Sequence, residues 1–146
     1  MDKKDMKVLE MLKKNSKLTT GQIAKKTGIP VTTVHNRIKK MEKEGLIKGY
    51  SVILDNKKLG RPIISYILVD IIYSLPSGKK ISQEDVARNI KMLEDVEEVS
   101  IMTGGADILA KARVRDIEAL NDLVIRKLRN IEGVDKTQTM IVLSSV

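Results

Sequence analysis

The chain has 146 residues, which is long enough for a hydrophobic core and fits one domain or two small ones. It contains no cysteine, so a disulfide framework and a thiolate metal site are both excluded. No apolar run approaches the roughly 20 residues that span a bilayer and no signal-peptide pattern opens the chain, so we expect a cytoplasmic protein with no membrane partner.

The positive charge is concentrated in the first part of the chain. The net charge is +8, and residues 1–60 hold 15 Lys and Arg against 6 Asp and Glu, whereas residues 61–146 hold 12 against 13. A basic region joined to a nearly neutral one is typical of a protein that binds a polyanion such as DNA. Membrane binding is the weaker alternative, because the basic helices lack the Trp, Phe and Leu face that an interfacial helix buries.

A first amphipathic helix is predicted from Asp2 to Lys14. Met6, Leu9 and Leu12 recur at helical spacing and form an apolar stripe. The acidic residues come early in this helix, where the helix dipole favours them. The stripe predicts that the helix covers a core formed with the helices that follow it.

A helix-turn-helix pattern occupies the next part of the chain. Thr19 and Gln22 fit a capping box that starts a short helix, and Gly28 supplies the left-handed residue that ends it. A second helix is predicted from Val31 to Glu44. Because so short a turn joins the two helices, they must cross steeply, as in helix-turn-helix proteins that bind DNA.

The polar side of this second helix carries the candidate DNA-binding residues. Its apolar positions fall on one stripe, which predicts a core contact and leaves the polar and basic side chains on the outer face and its flanks; the stripe consists of Val31, Val34, Ile38 and Met41. Such a face fits the major groove, although an ordinary solvated basic helix has the same pattern. The predicted DNA-binding residues are Thr32, Thr33, His35, Asn36, Arg37, Lys39, Lys40 and Lys43.

A change of composition marks a domain boundary near residue 60. Lys48 to Asp55 is rich in β-branched and aromatic residues and predicts a strand that acts as a wing or as a tether. Residues 56–62 are rich in turn formers. We therefore predict a DNA-binding domain over residues 1–60 and a second domain over residues 61–146.

The second domain has the alternating pattern of an α+β fold. The predicted order is βαββαβ, which is the arrangement of ferredoxin-like domains. The predicted elements are strand 63–73, helix 83–94, strand 96–103, strand 107–114, helix 116–130 and strand 134–143.

The first strand of this domain predicts a homodimer. Ile67, Val69 and Ile71 lie on one side of the strand, while Ile64 and Leu68 lie on the other. Two helices cover only one face of a four-stranded sheet, so we expect a second chain to cover the other face. A dimer also suits a helix-turn-helix protein, because two-fold dimers place their recognition helices about 34 Å apart on DNA.

An ordered set of motifs resembles the Lrp/AsnC, or feast/famine, family of transcription regulators over nearly the whole chain. The first part of the resemblance lies in the helical half and the second in the sheet half. The matching segments are Asp5 to Asn15, Ile23 to Ile29, Val34 to Ile38, Glu44 to Tyr50, Lys58 to Gly60, Thr103 to Asp107, and Gly133-Val134 with Thr137 and Thr139.

The resemblance implies a winged helix-turn-helix joined to an effector-sensing domain. Proteins of this family pair into dimers, commonly assemble to octamers, and bind small effectors, typically amino acids, between dimers. The family's effector loop corresponds to Gly104, Gly105, Ala106 and Asp107, in which Ala106 stands where the family has an aromatic residue. We expect a roomier pocket there that prefers a larger apolar or aromatic side chain, with Asp107 pairing with an ammonium group.

The two glycines also have a purely structural interpretation. Glycine accepts a positive φ, so Gly104 and Gly105 are what a tight hairpin needs even without a ligand. On that interpretation Asp107 simply closes the turn.

Three classes of function are compatible with parts of the sequence. A sequence-specific regulator that binds double-stranded DNA is favoured, and an architectural protein that binds DNA phosphates without reading bases is the alternative. An enzyme is disfavoured, because the one histidine, His35, lies on the groove-reading helix and no nucleophile, general base or metal-binding set accompanies it. We therefore expect no cofactor.

Overall fold

A computed structural model describes residues 1–145 and divides the chain into two compact units. The first unit is Met1–Leu54 and the second begins at Asp55, slightly before the predicted boundary at Gly60. Val146, the last residue of the predicted second domain, lies outside the described residues. Within residues 1–145, no helix is long and apolar enough to cross a bilayer.

The first unit consists of three helices, α1 (Lys3–Lys14), α2 (Thr20–Thr27) and α3 (Val31–Lys43). The predicted capping box of α2 is confirmed, since Thr19 and Gln22 exchange side-chain and backbone hydrogen bonds. Gly28 ends α2 with a φ of 71°, in the left-handed region that favours glycine. The turn from α2 to α3 is therefore the tight one that the sequence predicts.

The three helices share one apolar core. Val34 and Met41 of α3 are buried in it, as the stripe predicts, whereas Val31 is 48% exposed at the start of the helix. In α1 the prediction was wrong for Met6, which is 52% exposed, because the buried side of the helix is centred on Val8 and Leu12, with Leu9 packed beside them. The buried residues of this core are Val8, Leu12, Ile23, Ala24, Ile29, Val34 and Met41.

The strand predicted from Lys48 to Asp55 is absent. Tyr50, Val52 and Ile53 are mostly exposed, and no strand of the described residues pairs with this segment. A strand is defined by hydrogen bonds to a neighbouring strand, so residues with high β propensity remain irregular where no partner is supplied. We call residues 48–55 the linker.

The second unit is a four-stranded antiparallel sheet with helical segments packed on one side. The strand order is β2-β3-β1-β4, and the βαββαβ sequence of elements confirms the predicted ferredoxin-like fold. The elements are β1 (Ile63–Ile71), α4 (Gln83–Lys91), β2 (Val96–Ile101), β3 (Ile108–Val114), α5 (Ile117–Asn121) and β4 (Val134–Ile141).

Several predicted boundaries differ from the observed ones. The predicted helix 116–130 is α-helical only in α5 and continues as a π-helical segment, Asp122–Lys127, and a 3₁₀ turn, Leu128–Asn130. The apolar spacing of that stretch predicts a helix but does not register such a change of winding. β2 ends at Ile101 and β3 begins at Ile108, so the connection over residues 102–107 is longer than a tight hairpin turn.

β1 divides the unit into a covered face and an outer face. Ile67, Val69 and Ile71 are buried with the helical segments in the core, whereas the alternate residues Tyr66 and Leu68 are only half-buried. This alternation confirms that β1 carries apolar residues on both sides. The outer face therefore presents apolar groups that the described chain covers incompletely.

We predict that Gly133→Ala destabilises the second unit. Gly133 has a φ of 95°, and an added Cβ would lie 2.5 Å from Ile81 Cγ2 and 2.9 Å from Val86 Cγ2. Overpacking of this kind costs about 1–3 kcal/mol, and the positive φ adds strain. Urea unfolding measures the loss, with Gly49→Ala as the control, since Gly49 has open space around it. Equal stability of the two variants would contradict the prediction.

Candidate nucleic-acid interface and effector loop

The outer side of α3 is a polar face with most of its side chains in solvent. Among the eight predicted residues, Thr33 and Arg37 are half-buried and the others are exposed. Because one helix carries all of them, these side chains form a common surface that fits along the major groove of DNA. We call this surface the reading face and α3 the reading helix. The exposed residues of the reading face are Thr32, His35, Asn36, Lys39, Lys40 and Lys43.

The lysines of the reading face are weakly held by neighbouring carboxylates. Lys39 Nζ lies 3.5 Å from Glu42 Oε2, and Lys40 Nζ lies 3.9 Å from Glu44 Oε1. Such exposed pairs within one helix contribute little and are screened by salt. Both lysines can therefore exchange these contacts for phosphate oxygens at low cost.

Arg37 differs from the rest of the predicted set because α1 already binds it. Its Nη1 donates to Asp2 Oδ2 at 2.7 Å and to Asp5 Oδ1 at 2.5 Å, while its Nε is buried without a hydrogen-bond partner. The structure thus places this guanidinium between α1 and α3, where it fastens the reading helix to its support. A contact between Arg37 and DNA stays a prediction.

The two carboxylates are held in the ionised form. A hydrogen bond from the Asp2 N–H, followed by the one from Arg37, lowers the pKa of Asp5. The N–H of Asp5 and then Arg37 lower the pKa of Asp2, because each favours the charged carboxylate. Sequence reasoning missed this cluster, although Asp2 and Asp5 at the start of α1 have the spacing of a capping box.

A second contact fastens the linker to α3. Tyr50 Oη donates to Glu42 Oε1 at 2.9 Å. Burial and then the neighbouring carboxylate raise the pKa of Tyr50, since both disfavour the phenolate. The first residues of the linker are thereby tied to the last turn of the reading helix.

The predicted effector loop connects β2 to β3 beside the end of β1. Gly104 has a φ of 115°, which explains why glycine stands there, whereas Gly105 has no positive φ. The Met102 N–H donates to the Asp107 carbonyl at 2.8 Å, and the Asp107 N–H donates to the Val69 carbonyl at 3.1 Å. The loop is thus fixed at its base and attached to β1.

The side chain of Asp107 is engaged in closing this loop. Its Oδ2 accepts the Ile71 N–H at 2.9 Å, and its Oδ1 accepts the Tyr73 hydroxyl at 2.6 Å. The bond to Asp107, more than burial, raises the pKa of Tyr73. Gln83 Nε2 also donates to the Asp107 carbonyl at 3.0 Å. This geometry favours the structural interpretation of Asp107, and sequence reasoning did not find Tyr73 or Gln83.

A small cavity lies between the loop and the outer face of the sheet. Its volume is about 230 Å³, and Gly105 and Ala106 are the predicted effector residues that line it, while Gly104 and Asp107 do not. Its wall contains both charged and apolar side chains, and the expected preference for a larger apolar or aromatic ligand stays a prediction. The other lining residues are Leu68, Asp70, Lys136, Thr137 and Gln138.

Family models match both units of the chain. Residues 1–48 match the model described as winged helix-turn-helix DNA-binding, and residues 72–146 match the model described as Lrp/AsnC ligand binding domain. The first match covers the three helices, and the second begins at the end of β1 and includes the loop and the cavity residues of β4.

Several similar proteins are transcription regulators. The chain is 40% identical over 141 residues to an uncharacterized HTH-type transcriptional regulator of Pyrococcus furiosus, covering 97% of this chain and 91% of the relative. It is 32% identical to the leucine-responsive regulatory protein of Haemophilus influenzae, covering 100% and 86%. A crystal structure of a Neisseria meningitidis transcriptional regulator in complex with L-Met matches with a TM-score of 0.91 and 25% identity, covering 100% and 92%.

A helix-turn-helix unit with a basic reading face, joined to a ferredoxin-like unit with a ligand-binding-domain signature, defines a transcription regulator. The chain belongs to the Lrp/AsnC family of HTH-type transcription regulators.

We predict that Asp5→Asn reduces the dependence of stability on acid pH. The pKa of Asp5 is lowered from 3.8 in the folded protein, so its contribution is present above that value and is lost as the pH falls through the folded pKa. Asp5→Asn lacks this contribution, so the variant should be less stable than wild type at neutral pH. Its urea midpoints should therefore fall less steeply from neutral pH down to about pH 2.

Asp135→Asn is the matched control, because Asp135 is exposed and has no side-chain hydrogen bond or ion pair within residues 1–145. The control should follow the wild-type curve. An Asp5→Asn curve parallel to that of the wild type would show that the Asp5 carboxylate contributes no pH-dependent stability.

Proposed function

We propose that the protein is a homodimeric transcription regulator that reads double-stranded DNA with α3 and responds to an amino-acid effector at the loop of residues 104–107. The observation that carries the DNA-binding part is the reading face, which is exposed, polar and positively charged on a helix whose other side is buried. A helix of this kind in a helix-turn-helix enters the major groove. The proposal involves no enzymatic reaction and no cofactor.

The reading face divides into a part suited to bases and a part suited to phosphates. Thr32 and Asn36 lie toward the start of α3, where recognition helices contact base edges, and Thr33 and His35 flank them. Asn36 presents an amide that can pair with adenine through two hydrogen bonds. Lys39, Lys40 and Lys43 follow toward the end of α3, and we assign them to phosphate oxygens together with Arg37 on the flank.

We predict that Asn36→Ala and Lys40→Ala weaken DNA binding in different ways. Asn36→Ala should cost about 1–3 kcal/mol on the preferred site and much less on random DNA, because it removes a base contact. Lys40→Ala should weaken both alike and reduce the slope of log K against log salt by about 1. Titrations by fluorescence anisotropy at several salt concentrations measure both effects, after selection of the preferred site from random duplexes.

The same titrations separate the regulator from the architectural alternative. An architectural protein binds through phosphates, so nonspecific DNA at fixed salt would displace it from every duplex equally. Equal losses on both DNAs for Asn36→Ala would remove this residue from the reading role.

The outer face of the sheet supports a homodimer. Tyr66 of β1 lies directly opposite Met140 of β4 in the register. Two residues further along β1, Leu68 lies opposite Leu109 of β3. Each is incompletely buried, and Met140 is 43% exposed. An apolar surface that crosses several strands fits a self-complementary two-fold contact. We propose that this face pairs two chains, and that the dimers assemble further, up to octamers.

We predict that Met140→Asp weakens the dimer. A carboxylate without a partner in an interface costs several kcal/mol, so the dissociation constant should rise by about 100-fold or more. Analytical ultracentrifugation of the full chain measures the change, and Met92→Asp is the control because Met92 is 83% exposed at the end of α4. Dimers of unchanged affinity in Met140→Asp would place the contact between chains elsewhere.

The effector part of the proposal has two supports. The glycine loop and the outer sheet face enclose a cavity with groups of both charges, Asp70 and Lys136, which suits a zwitterion. The Neisseria meningitidis relative was solved in complex with L-Met. A ligand that binds one assembly state more tightly than another shifts the equilibrium by that difference, which is how an amino acid would change DNA binding.

A further inference from the structure

An amino-acid effector needs a partner for its ammonium group, and Asp107 is poorly available for this role. The Ile71 N–H and the Tyr73 hydroxyl already occupy one position on each of its carboxylate oxygens. Asp107 also does not line the cavity beside the loop. A different acidic group should therefore receive the ammonium.

Asp70 is the acidic residue that lines the cavity. It lies on the outer side of β1, is half-buried, and has no side-chain hydrogen bond or ion pair within residues 1–145. A partly buried carboxylate without a partner loses hydration without compensation, so it gains from a cation that enters the cavity.

The neighbouring residues give the cavity the opposite charge on its other side. Lys136 of β4 is the direct cross-strand partner of Asp70, yet the two side chains form no ion pair. The register of β1 and β4 shifts between Asp70 and Ile71, and such irregularities re-aim side chains. A carboxylate and an ammonium on adjacent strands are thus both available to a third group between them.

We propose that Asp70 binds the ammonium of the effector, while Lys136 and the backbone of Gly105 and Ala106 face its carboxylate. This inference rests on the proposed function and names the residue that recognises the ligand's charge. A cavity of about 230 Å³ is below the usual range for drug-sized ligands, which suits a ligand as small as an amino acid. Leu68 and the methyl group of Ala106 are the apolar groups of the cavity wall available to the ligand's side chain.

The test is isothermal titration calorimetry of the full chain with the twenty L-amino acids. Asp70→Asn keeps the shape of the side chain but removes its charge, and it should weaken the binding of the amino acid that wild type binds by about 10-fold or more. Asp135→Asn, on an exposed carboxylate outside the cavity, should bind as wild type does. Gly105→Val should abolish binding, because the added side chain would occupy the cavity that Gly105 lines. The fold should tolerate the change, since Gly105 has open space around it and no positive φ.

A chemical counterpart of the mutation tests the ammonium directly. The N-acetyl derivative of the same amino acid lacks the positive charge, so it should bind wild type weakly. In Asp70→Asn, acetylation of the ligand should reduce the binding affinity little further. The mutation and the acetyl group remove the same contact, so their effects are not additive. Equal losses from acetylation in wild type and Asp70→Asn would overturn the assignment.

The remaining outcomes separate the inference from the proposed function. If wild type binds an amino acid, Gly105→Val does not and Asp70→Asn binds normally, the effector site stands and the role of Asp70 is wrong. If wild type binds no amino acid at millimolar concentration, the effector part of the proposed function fails, and this inference with it.

Discussion

The alternation of side chains along β1 is the constraint on which the second unit depends. β1 pairs with both β3 and β4, so every residue that it sends to one face buries against the helical segments and every alternate residue lies on the outer face. A shift of register by one residue would exchange the two sets. The same strand therefore fixes the core, the proposed dimer surface and the position of Asp70 at once.

The end of β1 also organises the effector loop. The Val69 carbonyl and the Ile71 N–H both bind Asp107, one through its backbone and the other through its carboxylate. These hydrogen bonds hold Asp107 against β1, beside the backbone of Gly105 and Ala106. Because the Asp107 carboxylate is engaged there, our proposal assigns charge recognition to the neighbouring outer face.

Local patterns in the sequence predict the parts of the structure that local physics decides. Thr19, Gln22 and Gly28 set the ends of α2 through hydrogen bonds and a φ value that nearby residues determine. Apolar periodicity likewise predicts the βαββαβ order, since it records which sides face the core. The linker was mispredicted because a strand depends on a partner that its own residues cannot specify.

Contacts between residues far apart in the sequence could not be predicted in this way. A helical projection places Arg37 among the predicted DNA contacts, but it does not show that α1 supplies two carboxylates that bind the guanidinium. The loop motif offers Asp107 as an ammonium partner, but it does not show that the Tyr73 hydroxyl donates to this carboxylate. No pattern in the sequence distinguishes Asp70 within a mostly apolar strand. Its proposed role depends on the register, which places it opposite Lys136, and on the cavity that it lines together with Gly105.

The position of the two proposed sites limits how an effector can act on DNA binding. The reading face belongs to the first unit and the cavity to the second, and the linker joins the units covalently. The hydrogen bond from Tyr50 to Glu42 attaches the start of this linker to the reading helix itself. A ligand at Asp70 would add contacts on the outer sheet face, where two chains are proposed to meet. An effector that binds one assembly state more tightly than another would change how the chains pair, and with it the spacing of their α3 helices. This is the simplest physical route by which an amino acid would change binding to the operator.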